Sequence, residues 1–241
     1  MNKKKVLVFA NILELVDGFT NHFIKLMKLK EGIFRVALSG GSTPKFWFDE
    51  LAKNHKLDVE WERVHLYWGD ERCVPPDDED SNYGMTKKYL LDHIDIPDGN
   101  IHRILGEQNP EDAARNYEDE LLKFGPGDSI PVFDLMILGM GEDGHTASIF
   151  PHQIDLWDST DFCVVATHPT SGQYRVSLTG RVINQARSVA FLVTGEQKAE
   201  KVMEIIQKKE DSVSYPASHV SQPNDELFWF LDKPAASQIS E

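Results

Sequence analysis

The sequence predicts an α/β fold, an open and mainly parallel sheet with helices on both faces. Three observations predict it. Short apolar runs alternate with amphipathic stretches through most of the 241 residues, the pattern of repeated βαβ units. The runs are nearly continuously apolar, as strands become when helices cover both of their faces. No internal repeat and no Pro/Gly/Ser-rich linker divides the chain, so residues 1–241 are expected to form one domain.

The strand candidates are residues 5–10, 34–39, 64–68, 133–138, 162–167, 188–194 and 227–231. The helix candidates are residues 12–28, 44–54, 111–124, 182–186 and 198–208. Between them lies one low-complexity patch, Pro75-Pro76-Asp77-Asp78-Glu79-Asp80, which reads as a solvated acidic loop because like charges repel and hydrate.

Composition excludes several function classes. Hydrophobic residues make up 41% and charged residues 27%, ordinary globular usage. The formal net charge of −14 argues against nucleic acid or an anionic membrane as partner, since phosphate backbones need clustered Lys and Arg. It allows a small anionic substrate, provided that the pocket is locally positive. No apolar run reaches the roughly 18–20 residues that span a bilayer. The start, Met1-Asn2-Lys3-Lys4-Lys5, has the charge of a signal n-region, but the apolar run at 6–10 is too short for its h-region. A cytosolic location is expected. Cys73 and Cys163 are the only cysteines, and the nine histidines show no paired spacing. Neither a disulfide framework nor a metal site is expected.

In open parallel sheets, ligands sit beyond the carboxyl ends of the strands, so the residues after each strand carry the information. After 34–39 comes Gly40-Gly41-Ser42-Thr43-Pro44. The glycines permit positive φ and close approach of a ligand. Ser42 or Thr43 can cap the next helix, with Pro44 at its first position, and such a helix start offers N–H groups to an anion. After 64–68 comes Gly69-Asp70-Glu71-Arg72. Three charges at the end of a buried strand exceed what a turn needs, although an ion pair of Arg72 with Asp70 or Glu71 would also account for them. After 133–138 comes Gly139-Met140-Gly141-Glu142-Asp143-Gly144-His145-Thr146. The GxGxxG spacing raises a dinucleotide site, but Pro151 leaves little room for the long helix that should follow, and His145 stands where a small residue would admit a pyrophosphate. A histidine in a Gly-rich loop beyond a parallel strand suits acid/base work. After 188–194 comes Gly195-Glu196-Gln197-Lys198. A cation in the first turn of a helix opposes the helix dipole by roughly 0.3–1 kcal/mol, which invites a phosphate as its partner. Arg175 and Arg181 flank Ser177-Leu178-Thr179 and could add positive charge.

Taken together, Ser39-Gly40-Gly41-Ser42-Thr43-Pro44, Gly69-Asp70-Glu71-Arg72 with Asp80-Ser81-Asn82, Gly139 through His145, Arg175-Val176-Ser177-Leu178-Thr179, Val193-Thr194-Gly195 with Lys198-Ala199, and Trp229-Phe230-Leu231-Asp232 with Ala235-Ala236 resemble the 6-phosphogluconolactonases. The resemblance runs nearly the whole chain in order, departing at Gly180-Arg181, where a more apolar pair containing proline is expected. It implies the fold shared with glucosamine-6-phosphate deaminases and ribose-5-phosphate isomerases. It also implies the second step of the oxidative pentose phosphate pathway, without metal or organic cofactor. A δ-lactone is an activated ester, so hydrolysis needs a modest base and a place for the oxyanion. On this reading His145 is the general base and Asp143 orients it. Arg72 stabilises the oxyanion or binds substrate oxygens. Gly40, Gly41, Ser42, Thr43, Asp70, Arg175 and Lys198 hold the phosphate and sugar hydroxyls. A covalent route through Ser148 or Ser42 lacks a GxSxG context.

Two rivals remain. Glucosamine-6-phosphate deaminases resemble the chain at Asp70-Glu71 and Asp143-Gly144-His145, but they place a Glu five residues after the His, where Phe150 stands here, and tend to carry an aromatic residue in place of Arg72. A sugar-phosphate-sensing domain without chemistry would need a helix-turn-helix segment, for which the chain has no spare length or basic patch.

Overall fold

The computed structural model describes residues 4–124, 129–222 and 226–239; the basic start at Met1, Asn2 and Lys3 lies outside them. Strand β1 (Lys4–Phe9) leads into α1 (Ile12–Leu29), which begins where the Asn11 side chain accepts from the N–H groups of Leu13 and Glu14. There follow β2 (Phe34–Leu38), α2 (Ser42–Glu50), β3 (Val64–Trp68), β4 (Asp70–Arg72), α3 (Asn82–Tyr89), β5 (Ile101–His102) and α4 (Pro110–Leu122). The remainder comprises β6 (Leu135–Leu138), β7 (Cys163–Thr167), β8 (Tyr174–Leu178), α5 (Gly180–Ile183), β9 (Val189–Val193), α6 (Ala199–Ile206) and β10 (Leu227–Asp232).

Seven strands form one parallel sheet in the order β1-β10-β9-β6-β2-β3-β5. The expected α/β class with a mainly parallel sheet is therefore observed. Residues of β6, β9 and β10 are buried throughout, which explains their unbroken apolar runs. Edge strand β1 has only half-buried and exposed residues. Rings from α1, α2 and β10 interlock: Phe19 meets Trp47 edge-on at 4.9 Å and Phe230 at 5.2 Å, and Phe23 meets Trp47 at 5.3 Å. These contacts seat α2 against α1 and, through Phe19, against the sheet.

Local details depart from the sequence reading. The run at 162–167, expected in the main sheet, is β7 of a separate antiparallel sheet ordered β4-β8-β7. An apolar run alone does not say which sheet a strand joins. Strands β4, β5 and β8 and helix α3 were not predicted, being short or rich in charged and polar residues. The second sheet grows from the end of β3: the Gly69 N–H donates to the Leu38 carbonyl at 2.8 Å, and the Gly69 carbonyl accepts from the Leu178 N–H at 2.9 Å. Helix α2 starts at Ser42 behind Gly41 with no side-chain cap, so neither Ser42 nor Thr43 caps it, and Pro44 is its third residue. The predicted helix 44–54 gives way to a π turn at Leu51–His55. The predicted helix 182–186 is shifted to Gly180–Ile183. Lys198 ends a 3-10 turn, Glu196–Lys198, just ahead of α6.

Strand β5 pairs with β3 only as far as Tyr67, leaving the backbone of Trp68 beyond its edge. The buried Tyr117 hydroxyl of α4 replaces the missing neighbour, accepting from the Trp68 N–H and donating to the Trp68 carbonyl, both at 2.9 Å. Tyr117→Phe leaves both groups buried and unpaired, and each such loss costs about 1–3 kcal/mol. Urea unfolding of this variant is expected to show at least that loss of stability.

Candidate active site

The loops that leave the carboxyl ends of β2, β3, β6 and β9 meet in one cleft of about 500 Å³, within the usual range for small-molecule sites. Gly40, Gly41, Ser42, Thr43, Asp70, Arg72, His145, Arg175 and Lys198 all line it. Asp143 does not; it stands behind His145.

The two glycines do different things. Gly41 sits at φ 102°, a conformation that side chains resist. A Cβ on Gly40 would fall 1.8 Å from the Asn82 side-chain oxygen, so only glycine allows that close approach. Because no side chain caps α2, its first N–H groups remain open to an anion. The Thr43 hydroxyl is bonded to that of Thr194 at 2.8 Å, tying the loop after β2 to the loop after β9.

Beyond β3, the buried Asp70 carboxylate accepts from the Ser148 hydroxyl at 2.6 Å. Ser148 is fully buried and does not line the cleft, so it is not available as a nucleophile. Arg72 makes no ion pair with Asp70 or Glu71; its guanidinium donates to the Asp80 carbonyl at 2.5 Å. Glu71 is used structurally instead. It accepts from the N–H groups of Arg72, Asn82 and Tyr83 and from the Ser81 hydroxyl. Burial pushes its carboxyl up to about 7 against the opposing pull of the backbone donors. The residues at 77–80 are exposed, as expected of a solvated acidic loop.

The loop after β6 carries His145 and opens no long helix; 3-10 turns at Pro151–Asp158 come next. Asp143 Oδ1 lies 2.6 Å from His145 Nδ1 and also accepts the His145 N–H at 3.1 Å. Burial raises the Asp143 pKa, but the hydrogen bond and charge of His145, with local N–H donors, outweigh it and hold the carboxyl at about 2. An ionised carboxylate can only accept, so Nδ1 carries a proton, and whenever the ring is neutral Nε2 keeps the lone pair. The imidazole leans on the fully buried Phe150, centroids 4.6 Å apart, and Ala147 at φ 47° turns the chain back beneath it.

Positive charge converges as the loops do. Arg72 and Arg175 face each other in the β4–β8 register. Burial and then the charge of Arg72 push the Arg175 pKa down, and its guanidinium lies 5.6 Å over the Phe150 ring. Burial lowers the Lys198 pKa, opposed by Glu142 and Asp143. Arg181 is elsewhere: it bonds the Thr160 carbonyl and covers the Phe162 ring. The sequence reading did not single out Asn82, Thr194, Gln197 or Asp232 as lining residues, though Asn82, Thr194 and Asp232 lie in segments that carried the resemblance. Asp232 accepts from the N–H groups of Gly195 and Ala235, fixing the loop that carries Lys198. Among the described residues no group of three or more His, Cys, Asp or Glu could hold a metal ion.

Residues 12–229 match the family described as glucosamine-6-phosphate isomerases/6-phosphogluconolactonase. The chain is 44% identical over 228 residues to the 6-phosphogluconolactonase of Haemophilus influenzae, covering 94% of this chain and 96% of that one. The crystal structure of the devB protein superposes with a TM-score of 0.92 at 38% identity, covering 99% of this chain and 100% of the other. The 6-phosphogluconolactonase of Trypanosoma brucei superposes with a TM-score of 0.87 at 28% identity, with both chains fully covered.

Three cations line the cleft beside an uncapped helix start, a setting that favours an anion. Inorganic phosphate is expected to raise the Tm of the protein, as any ligand of the folded state does, and Lys198→Ala is expected to remove most of the rise. Because burial lowers the Lys198 pKa, the lysine loses its charge earlier on the alkaline side than an exposed lysine. The Tm rise is therefore expected to fade as pH climbs, and to persist in Lys198→Arg. Thermal scans across pH with and without phosphate measure both effects.

Proposed function

Since the chain belongs to the glucosamine-6-phosphate isomerase/6-phosphogluconolactonase family, we propose that it hydrolyses 6-phosphogluconolactone to 6-phosphogluconate with His145 as the general base. The observation that carries this reading is the 2.6 Å contact of Asp143 with His145 Nδ1. It leaves Nε2 as the basic nitrogen of a ring that lines a cation-rich cleft.

Nε2 takes a proton from water as the water oxygen attacks the lactone carbonyl carbon. The tetrahedral oxyanion then forms within reach of N–H donors from Arg72 and Arg175. On collapse the ring oxygen leaves and receives the proton back from the imidazolium, which Asp143 steadies. The new carboxyl group ionises and releases a proton. Preorganised donors of this kind contribute about 3 kcal/mol each to a transition state. Lys198, with Gly40, Gly41, Ser42 and Thr43, binds the phosphate, and Asp70 lies where sugar hydroxyls can donate to it. The buried Ser148 hydroxyl is committed to Asp70, which favours direct attack by water over an acyl-serine route.

The same proposal places the reaction in the cytosol, at the second step of the oxidative pentose phosphate pathway. No helix among the described residues is long and apolar enough to cross a membrane.

His145→Ala is expected to lower kcat for lactone hydrolysis by roughly 10²–10⁴, the usual worth of a general base, with KM little changed. An unaltered kcat, after subtraction of spontaneous opening, would remove His145 from the mechanism. The alternative chemistry of the family needs ring opening and a proton shift between two carbons, hence a further positioned carboxylate. Phe150 occupies that place in the loop. One preparation given each substrate is expected to form 6-phosphogluconate rapidly and to release no ammonia from glucosamine 6-phosphate. Ammonia at a comparable turnover would refute the assignment.

A further inference from the structure

Three residues that line the cleft carry a buried polar side-chain atom with no hydrogen-bond partner among the described residues: Arg72 Nε, Arg175 Nε and Asn82 Oδ1. The two arginine atoms are donors. The asparagine oxygen is the acceptor of the three. Asn82 is only 1% exposed, and its other polar groups are in use. Nδ2 donates to the Asp70 carbonyl at 2.9 Å, the N–H donates to Glu71 Oε1 at 2.7 Å, and the carbonyl accepts from the Thr86 hydroxyl at 2.9 Å. Exchanging the amide oxygen and nitrogen would set oxygen against the Asp70 carbonyl and forfeit that bond, so the network fixes the orientation. Oδ1 therefore points to Gly40, where a Cβ would fall 1.8 Å away. A buried acceptor left without a donor is unfavourable, and both Asn82 and Gly40 line the cleft.

We propose that Asn82 is a specificity-determining residue, its Oδ1 accepting a hydrogen bond from one ring hydroxyl of the substrate. This rests on the lactonase reading above. The chemistry of the lactone assigns the contact. At neutral pH its phosphate, carbonyl and ring oxygen offer acceptors, which belong with Arg72, Arg175 and Lys198. Its only donors are the hydroxyls on C2, C3 and C4. The cations fix the two acceptor ends, and Asn82 selects for a hydroxyl between them. An analogue lacking that hydroxyl leaves Oδ1 buried and unpaired in the complex, and sites built to bond a hydroxyl reject such analogues strongly.

The test uses the full-length protein, 6-phosphogluconolactone and its 2-, 3- and 4-deoxy analogues, followed by proton release. The wild type is expected to lose roughly tenfold or more in kcat/KM on one analogue, the worth of a buried hydrogen bond. Asn82→Ala is expected to be weaker on the parent lactone by a similar factor and to show no further loss on that analogue. Asn82→Asp keeps an acceptor oxygen in place and is expected to retain the discrimination at lower overall activity, so it carries the test if the alanine variant does not fold. Equal discrimination in wild type and Asn82→Ala, or its loss in Asn82→Asp, would overturn the proposal and leave Asn82 as a brace for Asp70. A wild type that hydrolyses the parent but discriminates against none of the analogues overturns only the role of Asn82. A wild type inert on the parent overturns the lactonase reading itself.

Discussion

A strand that runs parallel to its neighbour has to be reached by a crossover, and all seven strands of the main sheet obey this constraint. Their carboxyl ends therefore share one edge, and the residues after each strand meet there whatever their separation in sequence. Gly41, Asp70, His145 and Lys198 become neighbours in this way. The small antiparallel sheet then adds what crossovers alone do not supply. By continuing β3 into β4 and pairing it with β8, it sets Arg175 opposite Arg72, with the Arg175 guanidinium over Phe150.

The chemistry of the cleft follows from unequal sharing of charge. The chain is acidic overall, yet three cations line this one edge. Its carboxylates are mostly committed: Asp143 to His145, Glu71 to the start of α3, and Asp232 to the loop before Lys198. Each neutralises or orients a group and leaves the cations available for an anionic ligand. Asp143 does the most specific work, because an ionised carboxylate beside Nδ1 decides which nitrogen can take a proton.

Much of this was legible because its signals are local. Glycine pairs beyond apolar runs mark the loops after β2 and β6 directly, and βαβ alternation tells where they point. What was not legible is set by long-range contacts. The run at Cys163–Thr167 looks like any buried strand, and only its pairing with β8 removes it from the main sheet. Thr43 has the composition of a cap, but its hydroxyl is drawn to Thr194, 151 residues away. Asn82 falls in a segment that carries the resemblance, but its unpaired oxygen is visible only once Gly40 and Asp70 are folded around it.

The central claim is that Asp143 holds the proton on Nδ1 of His145 and leaves Nε2 basic. The ¹⁵N chemical shifts of the His145 ring, recorded in the neutral-imidazole range of pH, test it most directly. The account predicts a protonated, pyrrole-type Nδ1 and an unprotonated, pyridine-type Nε2, with the distinction blurred in Asp143→Asn. A proton found on Nε2 in the unaltered protein would contradict it, since no lone pair would then face the water to be activated.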